Sequence, residues 1–161
     1  MNGRKTLEKD LVIVFDKIIK TSELNDLLKN FCGDVIITKK LVVDKRIDIK
    51  CNLYVIGGIV RKYPISDFDI CIDGDFCCYG EIHCHSISVS GNFYSQKLIY
   101  SKAIKVGEDF LCEDKVDSYG CNIVVAGNFE AKAVVAKKIE CLGKTKISGE
   151  VSVAEGITSG Y

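Results

Sequence analysis

The chain has 161 residues, with 22 Lys and Arg balanced by 22 Asp and Glu and a formal net charge of zero. An apolar share of 47% with balanced charge excludes a disordered chain, and the zero net charge excludes a globally basic nucleic-acid-binding surface. The longest aliphatic run near the start, residues 11–15, is too short for a signal-peptide core or a membrane span, so no membrane association is expected.

Residues 1–33 are expected to form an α-helical N-terminal cap. Leu7, Leu11, Val14, Phe15 and Ile18 recur at helical spacing. Ser22 is a suitable N-cap for a second helix over residues 23–31, whose apolar face would be Leu24, Leu27, Leu28 and Phe31. Gly33 is placed to stop it.

From residue 34 to 161 the helical period gives way to β-branched, Gly-punctuated alternation. Three fragments share one pattern: Ile70-Cys-Ile-Asp-Gly-Asp-Phe76, Ile87-Ser-Val-Ser-Gly-Asn-Phe93 and Ile123-Val-Val-Ala-Gly-Asn-Phe129. The segment ending at Phe110 fits, with its Gly one place early. Aligned on the last apolar residue, the ladder runs Leu41, Ile59, Phe76, Phe93, Phe110, Phe129 and Val151, with three successive steps of 17 residues. Within a unit the inward residues come in pairs two apart, and each such pair is one short strand with a single buried face. Three short strands per repeat make one coil of a three-sided parallel β-helix, an all-β solenoid of about six to seven coils with about 17 residues each. A coil of that length, shorter than in left-handed hexapeptide solenoids, leans right-handed. Arg61 and Asp67, near Pro64, and also Lys137 would fall on inward columns, and a small loop is expected over residues 136–146.

The Gly-Asn-Phe repeats resemble those of uncharacterised β-solenoid proteins of Gram-positive bacteria and their phages or mobile elements, and are distantly similar to bactofilins. The resemblance covers about residues 35–155 as a repeat texture. It implies a solenoid fold. Kinship with phage proteins implies an accessory role such as inhibition of a host defence nuclease, in an anti-CRISPR-like manner, and bactofilins imply polymer formation.

Nine Cys, an odd number with no Cys-x-x-Cys pair, are expected to be reduced core fillers in a cytoplasmic protein, the host cytoplasm if the gene is phage-borne. Cys78, Ser95 and Cys112 are expected to share one column, and Cys84, Ser101 and Ser118 another. His83-Cys84-His85 is the one His cluster; His83 and His85, with Cys71 and Cys77, are weak metal candidates, because alternation sends neighbours to opposite faces. No metal or other cofactor is expected. No catalytic motif is present, so no enzymatic activity is expected, a zinc-dependent solenoid enzyme being the third-ranked reading.

Charge is patterned: residues 66–81 hold five acidic and no basic residues. Asp67, Asp69, Asp73, Asp75 and Glu81 are the expected partner-binding acidic face, suited to a basic surface on another protein. Nothing comparable to the N-terminal cap follows Val151, Val153, Ile157 and Tyr161, so self-association into a homodimer is expected through that end. The leading expectation is a non-enzymatic protein–protein interaction module; the alternative is a self-assembling scaffold.

Overall fold

A short strand with one buried face is not stable alone; here each finds parallel neighbours in the coils above and below. The structure, a computed structural model, describes residues 11–61, 68–118 and 120–160. The chain winds through about eight turns. The first holds β1 (Val12–Phe15), β2 (Ile19–Lys20) and the helix α1 (Thr21–Leu27). The second holds β3 (Asp34–Ile37), β4 (Leu41–Val43) and β5 (Ile47–Ile49), and the third β6 (Asn52–Val55), β7 (Ile59–Arg61) and β8 (Asp69–Ile72). In the fourth and fifth, β9 (Phe76–Cys78) and β11 (Phe93–Ser95) are followed by long strands that turn the next corner unbroken, β10 (Ile82–Val89) and β12 (Ile99–Val106). The sixth and seventh reverse this, with long β13 (Phe110–Asp117) before β14 (Asn122–Val125), and long β15 (Phe129–Ala136) before β16 (Lys138–Cys141). The last turn holds β17 (Thr145–Ile147), β18 (Val151–Val153) and β19 (Ile157–Ser159).

Pairing assembles three parallel walls. The first joins β1, β3, β6, β9 and β11, the leading halves of β13 and β15, and β17. Its inward file is Ile13, Val35, Leu53, Phe76, Phe93, Phe110, Phe129 and Thr145. The four Phe rings stack at centroid distances of 5.0, 4.8 and 5.1 Å, the separation that parallel pairing imposes. The third wall carries Ile47, Ile70, Ile87, Ile104, Ile123, Ile139 and Ile157 in one file. On the second wall Ile82, Ile99, Val116, Val134 and Val151 are in file.

The three-sided parallel β-helix is therefore as expected, and the step of 17 holds from Phe76 to Phe110. The ladder needs correction outside that stretch. Phe76 pairs with Leu53, and Ile59 belongs with Leu41 on the second wall. Phe129 is followed by Thr145, whereas Val151 pairs with Val134. Corner lengths vary from coil to coil, so counting residues across a long corner slips from one wall to the next. A one-residue register shift between Cys112 and Lys115 likewise turns Val134 inward, where counting places Val135. Lys137 is exposed, and residues 138–141 are a strand instead of a loop. The Arg61 side chain and Asp67 lie outside the described residues.

The expected helix through Leu11 and Ile18 is also corrected, Leu7 lying outside the described residues. Residues 12–15, Val-Ile-Val-Phe, form β1, parallel to β3. Three β-branched residues and an aromatic suit a pleated surface with a neighbour to pair with, and that pairing overrides a helical spacing of leucines. The one helix among the described residues, α1, is seven residues long and occupies the third side of the first coil. Leu24 and Leu28 are buried, while Leu27 points to solvent. Ser22 is not its N-cap; Lys20 holds that position without a side-chain cap bond. The Ser22 hydroxyl and N–H instead donate to Asp44 at 2.6 and 2.9 Å. The Thr21 hydroxyl engages Asp44 and the Lys45 carbonyl, and Asn25 Nδ2 donates to the Arg46 carbonyl at 2.7 Å. These bonds fasten α1 over the start of β5, so a helical lid does cover this part of the first full coil. Gly33 is not a helix stop either: a Cβ there would meet the Leu11 carbonyl oxygen at 2.4 Å.

The Gly-Asx-Phe triplets have a physical reason. Asp34, Asn52, Asp75, Asn92, Asp109 and Asn128 stack along one corner, alternating acid and amide. Asn92, Asn128 and Lys144 each donate their backbone N–H to the Asx oxygen of the coil before, at 2.7, 2.7 and 2.9 Å. The Asx oxygen fills the space where the next coil would have a Cβ; at Gly127 that Cβ would lie 2.3 Å from Asp109 Oδ1. Before Asp109 the chain has Glu108 where Gly stands in its neighbours, and there the link stretches to 3.2 Å.

Candidate interaction surfaces

The acidic residues selected from sequence do not share one face. Asp67 lies outside the described residues. Asp69 is on the third wall, accepting from the Ser86 hydroxyl at 2.6 Å. Asp73 lies past the end of β8 and accepts from Ser90 at 2.9 Å. Asp75 belongs to the Asx stack, and Glu81 precedes the second wall, 3.5 Å from His83 Nε2. Alternation over residues 67–75 is broken at Asp73-Gly74, where the strand ends and the chain turns.

The weak metal candidates also sit apart. Cys71 is on the third wall, 2.9 Å from Arg46 Nη2. Cys77 is on the first wall, where burial raises its thiol above the ordinary range. His83 is on the second wall, stacked on Tyr100 at 5.9 Å, and His85 follows buried Cys84 in the same strand. Among the described residues no three His, Cys, Asp or Glu side chains are grouped to hold a metal ion. Five cysteines are buried, three are half-buried and Cys32 is exposed; all are free thiols. Cys78, Ser95 and Cys112 do stack in one column, and Cys84 pairs with Ser101. Burial pushes Cys78 up to about 12 and Cys51 and Cys112 up to about 11.

At the C-terminal end the inward files come out into solvent. Val151 is 50% exposed and Ile157 42%, whereas Val134 and Ile139 directly above them are buried. Val153 is half-buried and Tyr161 lies outside the described residues. Among the described residues β17, β18 and β19 pair on one side only.

The surface that sequence reasoning missed is the outer side of the first wall. Facing solvent, in file, are Val14, Ile36, Tyr54, Cys77, Tyr94 and Leu111. Val14 and Leu111 are exposed and the middle four half-buried. Tyr79 lies beside the file, edge-on to Tyr94 at 5.6 Å, and Ile56 is exposed one coil before it. The ribbon ends at Glu130 and Lys146, an ion pair at 2.6 Å. Asp34 and Asp75 act on Tyr54 from one edge, and on the other a single carboxylate, Glu113, hydrogen-bonds Tyr94, with Gln96 and Lys132 at the same place in the coils before and after. Burial and then that bond push the Tyr94 phenol up to about 12. A sequence signal for the ribbon exists: in Val35-Ile36, Leu53-Tyr54, Phe76-Cys77, Phe93-Tyr94 and Phe110-Leu111 an apolar residue follows the inward one, where a solvated wall would alternate to polar. On the third wall the corresponding outward residues are Asp48, Cys71, Ser88, Lys105, Val124, Glu140 and Thr158, a mainly polar file.

No protein-family model, curated protein or solved structure matches this chain. Among the described residues no helix is long and apolar enough to cross a membrane.

Proposed function

We propose that the protein is a non-enzymatic interaction module of the cytoplasm, a rigid column that docks a protein partner on its first wall. The observation that carries this is the apolar ribbon across six successive coils, since a continuous exposed apolar strip is a mark of an interaction site. The narrower role, an accessory protein of a phage or mobile element that blocks a host defence nuclease, extends from the resemblance of the repeats alone. A photo-crosslinking amino acid at Leu111, with Ser88 on the third wall as control, tests the module in cells that express it. A discrete protein adduct at position 111 and none at 88 is expected. Equal adducts at both positions, or none at 111, would overturn it.

A second reading, self-association, is favoured by the exposed last coil. A second copy is the fitting occupant, because β17 and β18, each paired on one side only among the described residues, can pair antiparallel with their own copies about a two-fold axis. The lid formed by α1 disfavours the alternative, a head-to-tail scaffold filament of the bactofilin kind. Sedimentation should give a dimer that Val151→Lys with Ile157→Lys converts to monomer. A monomeric parent protein removes this reading, and a concentration-dependent filament replaces the dimer with the scaffold.

A further inference from the structure

The ribbon's dimensions and surroundings narrow what it can hold. Its six file residues are separated by five steps of about 4.8 Å, so it is about 24 Å long, the length of about 16 helical residues. Its side chains follow one another at nearly the pitch of an α-helix, about 5.4 Å. A helix of that length makes between about four and five turns, so one apolar side chain per turn keeps step with the four coils from Tyr54 to Leu111 and drifts by about half a turn over all six. An added β-strand does not fit, because from β3 to β15 the strands of this wall are paired on both sides and have no free backbone to offer. A second copy is a poor match too. Face to face, two copies bring the Asp34, Asp75 and Asp109 edge against its own image or against the Glu113 edge, so carboxylate meets carboxylate.

We propose that the first wall seats an amphipathic helix of a partner protein, with apolar residues along its centre and Lys or Arg on its flanks. The apolar row covers Tyr54, Cys77, Tyr94 and Leu111, and the basic flanks meet Asp34, Asp75 and Asp109 on one side and Glu113 on the other. This rests on the module reading and deepens it by naming the partner's chemistry and shape.

The test uses the full chain and two fluorescent helical peptides of about 18 residues. Both carry the same leucine row, one flanked by Lys and the other by Glu, and binding is read by anisotropy. The Lys-flanked helix should bind at least about tenfold more tightly, with affinity falling as salt is raised. Leu111→Lys should weaken it about tenfold while Ser88→Lys on the third wall leaves it unchanged. Tyr94→Gln, which keeps a side chain of moderate size, serves as the second variant should Leu111→Lys fail to fold. Equal affinity for the two peptides, no binding of the Lys-flanked one, or indifference to both first-wall variants would each overturn the proposal. Crosslinking at Leu111 in cells without peptide binding would sink the helix and leave the module standing.

Discussion

In each Gly-Asx-Phe triplet three adjacent residues do different work: Gly leaves room, Asx ties one coil to the next, and Phe fills the core. Alternation of acid and amide keeps two carboxylates from standing about 4.8 Å apart along the corner. Asn92→Asp would put three acids in a row with Asp75 and Asp109. Like charges raise their folded pKa above the unfolded value, so the penalty is complete at neutral pH and disappears as the pH falls below about 4. Because Asn92 is exposed, the cost is about 1 kcal/mol, or a few degrees of melting temperature. Melting curves that keep a constant gap from the parent between neutral and acid pH would contradict this. The thiols give a second residue-level expectation. Alkylation of the native protein should modify Cys32 first, and Cys78 and Cys112, buried with raised pKa values, only after unfolding. Peptide mass mapping before and after denaturant reads the order.

Among the elements, α1 depends most on one side chain. Burial alone would raise the Asp44 carboxyl, but the Ser22 hydroxyl and N–H and the Thr21 hydroxyl outweigh it and hold it at about 2. A carboxyl depressed in the folded state contributes its full stability above the ordinary value near 4, and loses it as the pH falls through about 2. Amide exchange in Thr21–Leu27 should therefore quicken in that window before the coils open, and Asp44→Ala should do the same at neutral pH. Uniform exchange along the chain would count against a separately hinged lid. At this scale sequence reasoning did least well near the start. Leucines at helical spacing mimic a helix, and nothing local in residues 12–15 reveals that β3 waits to pair with them. Ser22 reads locally as an N-cap, but its partner Asp44 is a coil away in the chain.

For the molecule as a whole, the solenoid was legible because Phe76, Phe93 and Phe110 lie across corners of equal length. It blurred at Ile59 and Val151, where corners lengthen or shorten and the count crosses walls. Thr145, polar at the end of a Phe file, gave no apolar mark to follow. The acidic run was visible as composition, but its distribution over walls depends on where Gly74 turns the chain. Each coil leans mainly on its neighbours, so stability is close to a sum over adjacent contacts. Change to one coil is thus expected to register locally, and the outer side of the first wall can be altered without disturbing the inward files.

The acid–amide alternation along the corner also gives the column a parity. Excising residues 76–92 or residues 93–109 removes 17 residues and one stacked Phe in either case. The first cut sets Asp75 beside Asp109; the second sets Asn92 beside Asn128. Two shortened proteins of equal length should therefore differ in melting temperature at neutral pH, the first being the weaker, and converge in acid. If they melt alike at every pH, the corner is a spacer without sign, and the column could be lengthened or trimmed at any coil.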